Sequence, residues 1–95
     1  MTNPAPLDFN KVEALRKHML LTTASMAELL GVSRMSYYSW LKGAKPRKAN
    51  EYLIRAKLKK LLYVLTEHNW PTPEAIAMTQ KERKQALADL VESLD

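Results

Sequence analysis

Ile54, Leu58, Leu61 and Leu65 recur at intervals of four, three and four residues, the spacing of a helix that buries one face. The same period appears at Val12, Leu15 and Met19, and again at Leu87, Leu90, Val91 and Leu94. Two glycines beside four Tyr, two Trp and one Phe suit helices better than a turn-rich sheet. No segment makes a credible strand. The chain reads as all-α: a compact bundle of four to six helices with a C-terminal amphipathic helix.

Capping residues and helix breakers divide it. Asp8 is suited to cap a helix over about 9–19, and Thr22 to cap a second that carries Met26, Ala27, Leu29 and Leu30 and stops at Gly31. Ser33 caps a third helix, from Arg34 to about Lys42, which Gly43 ends. Pro46 disfavours helical geometry at Lys45, so the basic loop Ala44–Ala49 should run extended. Asn50 is the expected cap of a fourth helix over 51–67, its stripe widened by Leu53, Leu62 and Tyr63. Trp70-Pro-Thr-Pro is a firm break, and Pro73 can open a short turn through Ala77. Thr79 and Glu82 have capping-box spacing, which predicts a last helix over 80–94. These marks divide the chain into a mobile tail (1–7), a main unit (8–67) and a helical extension (68–95).

Ninety-five residues without a cysteine amount to one small domain with no disulfide, thiolate metal site or Cys nucleophile. His18 and His68 stand far apart without ligand-like spacing, and no nucleophile or Gly-rich elbow accompanies Glu67–His68. The sequence therefore calls for no metal, no cofactor and no enzymatic activity. It has no apolar run long enough to cross a membrane and no signal pattern at its start, so a cytoplasmic protein is expected. The net charge of +5 is unevenly spread: +5 over residues 1–48, +3 over 49–66 and −3 over 67–95. From Arg34 to Lys60 nine basic residues meet one acid, Glu51, and such a block suggests a polyanionic partner.

The most informative stretch is Thr22–Gly43, TTASMAELLGVSRMSYYSWLKG. A helix-turn-helix needs a small residue where its helices cross, and Ala27 is there. Four residues on it needs tolerance of positive φ, which Gly31 supplies, and Val32 plugs the angle between the helices. Its second helix must bury one face, here Tyr37, Trp40 and Leu41. Arg34, Met35, Tyr38 and Ser39 then share the free face. With Ala27, Gly31, Val32, Ser33, Trp40 and Lys42-Gly43 in register, the stretch resembles the helix-turn-helix of Cro and lambda-repressor-like (XRE-type) DNA-binding domains of phages and bacteria. The resemblance covers about twenty-two residues closely and Asp8–Leu65 loosely, as a bundle framework. Tyr37 departs from the family's usual Val or Ile, and Ala24 and Ser25 from its acidic or amide residues. The Trp70-Pro-Thr-Pro break stands where the family continues into a fifth helix.

The resemblance implies a sequence-specific double-stranded DNA-binding transcription regulator, by default a repressor, with helix 34–42 in the major groove. It implies base contacts by Arg34, Met35 and Ser39 and a phosphate contact by Thr23. Arg34 has the fork geometry for guanine and Met35 can meet a thymine methyl, and Tyr38, counted with these as a base contact, can also lie along the sugar–phosphate edge. Ser33, Ser36, Lys42, Lys45, Arg47 and Lys48 read as phosphate contacts. Two recognition helices about 34 Å apart would read twofold-related half-sites, which predicts a homodimer. Trp70, Leu87, Leu90, Val91 and Leu94 are its expected interface. The alternative is a protein-interaction module, either an antitoxin binding a partner through 68–95 or a phage inhibitor of a host protein.

Overall fold

In a computed structural model, residues 7–94 are described, and within them the chain is all-α. Six helices follow in order: α1 Phe9–His18, α2 Thr23–Leu30, α3 Arg34–Leu41, α4 Lys48–Glu67, α5 Pro73–Ala77 and α6 Gln80–Glu92. Except for Leu7, the tail expected over 1–7 lies outside the described residues. No helix among those described is long and apolar enough to cross a membrane.

The helix starts follow from side-chain capping. Asp8, Thr22, Ser33, Thr72 and Thr79 each accept a hydrogen bond from a first-turn N–H, and Thr79 with Glu82 completes the capping box. α4 begins earlier than the sequence suggests. Its N-cap is Arg47, with no side-chain bond, and Asn50 lies inside the first turn.

Four helices end on a residue of positive φ: α1 at Leu20, α2 at Gly31, α3 at Gly43 and α4 at Asn69. In each case the next N–H reaches back to the last turn: Leu21 to the Arg16 carbonyl, Val32 to Ala27, Ala44 to Ser39 and Trp70 to Leu65. After α1, α2 and α4 this closure swings an apolar residue (Leu21, Val32, Trp70) toward the interior.

One core runs through all the helices. Val12, Met19, Met26, Ala27, Tyr37, Ile54, Leu61, Val64, Leu87 and Val91 are buried together, with Trp70 and Ala75 closing one end. α6 packs on both α2 and α4. It is also tied by hydrogen bonds to the α1–α2 turn. Gln80 donates to the Leu20 carbonyl (2.6 Å) and accepts from the Thr22 N–H (2.9 Å). Arg83 donates to the carbonyls of Leu20 (3.2 Å), Ala75 (2.7 Å) and Ile76 (2.7 Å).

This docking corrects the expected interface. Trp70, Leu87 and Val91 are buried inside their own chain, and the Trp70 indole donates to the Met19 carbonyl at 3.2 Å. Leu90 packs half-buried against the same core, and only Leu94 is exposed. The stripe on α4 is corrected as well. Leu53, Leu62 and Tyr63 point outward, and Val64 takes the interior place beside Ile54, Leu61 and Leu65.

Candidate functional site

The site is built on the crossing of α2 and α3. Ala27, fully buried, lets the helices approach closely, and Gly31 at φ 76° turns the chain between them. Around Gly31 the Val32 N–H bonds the Ala27 carbonyl (2.9 Å) and the Gly31 N–H bonds the Glu28 carbonyl (3.1 Å). Ser33 then starts α3: its Oγ accepts the Ser36 N–H at 3.0 Å and donates to the Ser36 Oγ at 2.9 Å. Ser33 is thus engaged as a cap, and Ser36 keeps the donor hydrogen of the pair.

The inner face of α3 is fastened by aromatic packing and one charged cluster. The Phe9 ring meets Tyr37 edge-on (centroids 6.4 Å apart) and Trp40 at a tilt (5.5 Å). The Tyr37 hydroxyl donates to Glu13 Oε2 at 2.7 Å. The same carboxylate takes Arg16 Nε at 2.7 Å and Nη2 at 3.0 Å. Arg16 Nη1 also donates to the Leu21 carbonyl at 2.9 Å, so the cluster links α1, α3 and the turn into α2. The Arg16 guanidinium, with help from the Tyr37 hydroxyl, holds the Glu13 carboxyl below its usual range. Burial, then the Glu13 hydrogen bond, push the Tyr37 phenol well above its usual value.

With Tyr37 and Trp40 turned inward, Arg34, Met35, Tyr38 and Ser39 come together on the exposed face, as their spacing predicts. Met35 is 83% exposed. The Tyr38 hydroxyl donates to Thr23 Oγ1 at 3.3 Å, which joins the free face of α3 to the first turn of α2. Lys42, Lys45, Arg47 and Lys48 follow α3 directly and are all exposed.

Glu28, in the last turn of α2, lies within electrostatic reach of Arg34. Its carboxyl is hydrogen-bonded to Lys84 of α6 and is held below its usual range, chiefly by that contact and to a smaller extent by Arg34. Sequence reasoning missed this pair, which joins elements fifty-six residues apart. It also missed the Glu13–Arg16–Tyr37 cluster, whose only signal is the i, i+3 spacing of Glu13 and Arg16.

A second surface lies between α1 and α4, an open groove of about 520 Å³ lined by the apolar Leu7, Val12, Leu15, Leu58 and Leu62 and by the charged Asp8, Lys11 and Arg55. Among the described residues no group of three His, Asp or Glu comes together as a metal ion would require. Comparison with protein-family models, with curated proteins and with solved structures finds no match to this chain.

Proposed function

We propose that the chain is a double-stranded DNA-binding transcription regulator of the Cro and lambda-repressor-like type, acting by default as a repressor that occludes a promoter. The observation that carries this reading is the two-sided build of α3. Tyr37 and Trp40 anchor one face in the core, while Arg34, Met35, Tyr38 and Ser39 stand exposed on the other, followed at once by Lys42, Lys45 and Arg47.

In the major groove Arg34 donates two hydrogen bonds to guanine O6 and N7, Met35 covers a thymine methyl, and Ser39 reaches a neighbouring base edge. Tyr38 is directed by Thr23 toward the backbone side, and Thr23 and Ser36 hydroxyls with Lys42, Lys45 and Arg47 hold phosphates. The phosphate contacts set register and supply most of the affinity, and the α3 side chains supply discrimination. The protein acts as a homodimer, so that two copies of α3 read twofold-related half-sites.

The test is selection of binding sites from random duplex DNA by the purified chain at near-physiological salt. A twofold-symmetric enriched site is the expected result. Failure to enrich any sequence, with binding that vanishes at modest salt, would leave only a basic surface and defeat the proposal.

A further inference from the structure

α4 buries one apolar stripe in its own chain and exposes a mixed row, with two tyrosines and two flanking leucines, on its far side. Ile54, Leu61, Val64 and Leu65 face the core. On the opposite side Ala49, Tyr52, Ala56, Lys59, Tyr63 and Thr66 are all exposed and repeat at intervals of three and four residues throughout. At that spacing the row forms one continuous helix face, along which a second helix can lie. Tyr52 is 74% exposed and Tyr63 55%, and Leu53 (63%) and Leu62 (54%) flank the seam on either edge. Half of the exposed large apolar side chains of the described residues lie on this one helix.

We infer that this outer face of α4 is the surface on which a second copy of the chain docks, with the two α4 helices antiparallel. The inference rests on the homodimer part of the proposed function and not on DNA recognition. The seam is self-complementary in that direction. About a twofold axis midway between Ala56 and Lys59, Tyr52 stands level with Tyr63 of the second copy. Ala56 then stands level with Lys59, Ala49 with Thr66, and Lys48 with Glu67.

Aromatic meets aromatic at both ends of the seam. The small Ala56 receives the aliphatic stem of Lys59, whose ammonium runs on to water. Lys48 and Glu67, both exposed at opposite ends of the helix, become two symmetry-related ion pairs. A parallel pairing would instead set Lys48 on Lys48, Lys59 on Lys59 and Glu67 on Glu67.

The area is sufficient. Twenty residues of helix extend about 30 Å. Covering the seam with its flanks removes on the order of 1,200 Å² from the two copies together, the lower end for a specific interface. In this arrangement Lys48 serves the dimer, and the DNA backbone is left to Lys42, Lys45 and Arg47.

The experiment is sedimentation equilibrium of the full chain, without DNA, over micromolar to millimolar concentrations. The 10.9 kDa chain should reach twice its mass. Lys48→Glu and Glu67→Lys should each weaken dimerisation several-fold, and the two together should bring it back to within about threefold of the parent chain. Tyr52→Ala with Tyr63→Ala should leave a folded monomer by circular dichroism, since neither side chain belongs to the core.

A chain that stays monomeric at the highest concentration overturns the inference, including one that binds an acidic peptide there instead. A dimer indifferent to the tyrosine pair, or a charge reversal that does not rescue, overturns it too. Site selection on DNA is read separately. A monomer that still enriches one asymmetric half-site refutes the seam and leaves the DNA reading, and a dimer that enriches nothing does the reverse.

Discussion

Replacing Tyr37 with Phe removes a single hydroxyl from a fully buried ring and leaves the packing against Phe9 intact. The hydroxyl is one of three donors to the Glu13 carboxylate, at 2.7 Å, and Arg16 supplies the other two. A hydrogen bond to a charged group contributes about 1.5–3 kcal/mol. The Glu13 side chain is 23% exposed, so water can replace the lost donor and the low end of that range applies, about 1.5 kcal/mol. In a domain of this size that lowers Tm by roughly 6–12 °C.

The pH dependence carries the sharper test. Glu13 is held below its usual range in the fold, so its ionised form stabilises the protein above the ordinary carboxyl value. That contribution is lost as pH falls through the depressed value. Tyr37→Phe removes one of the donors that depress it, so the gap between parent and variant should be widest near neutrality and narrow below about pH 4. Urea unfolding followed by circular dichroism at several pH values measures it. A variant as stable as the parent at neutral pH, or a gap that persists undiminished into acid, would refute the assignment of the cluster.

Arg34→Ala should reduce discrimination at one base pair by about 5- to 150-fold, the equivalent of 1–3 kcal/mol. Its non-specific affinity should hardly change, and competition between the selected site and single-base variants reads both. Lys45→Ala with Arg47→Ala should weaken binding to all sequences alike and flatten the salt slope by up to about 0.9 per lost phosphate contact, measured by titration at several salt concentrations. Gly31→Ala meets no atom within 4 Å of the added Cβ, so its cost is that of a left-handed backbone alone, about 1–2 kcal/mol by thermal unfolding. Gly31→Asn should cost less, because Asn tolerates that conformation.

Most of the site geometry was legible because it is local. Thr22, Ser33 and Thr79 cap the helices they were expected to cap, and Gly31 takes the left-handed turn between α2 and α3. Helical period alone separates Tyr37 and Trp40 from Arg34, Met35, Tyr38 and Ser39. The start of α4 was not legible. Asn50 is the better capping side chain, but once Pro46 has set an extended approach, the chain can turn helical at Lys48. The bond from the Glu51 N–H to the Arg47 carbonyl (2.9 Å) then holds the first turn without any side-chain cap.

Apolar stripes mark what is covered without saying by what. α4 bears apolar residues on both sides, and composition ranks Tyr63, Leu62 and Leu53 no lower than Val64, which is the one buried. The stripe of α6 presented the same ambiguity, and polar groups resolve it. Leu20 has φ 63°, and its carbonyl receives both Gln80 and Arg83. Those donors fix α6 across the start of α2, and Leu87 and Val91 are thereby carried into the shared core. The stretch 70–91 therefore belongs to the same core as α2 and α3. It braces α2 from behind at Thr22 and Glu28, while Glu13 and Arg16 hold α3 through Tyr37. α3 is thus anchored on its inner side by Tyr37 and Trp40, and Arg34, Met35, Tyr38 and Ser39 lie on its exposed side.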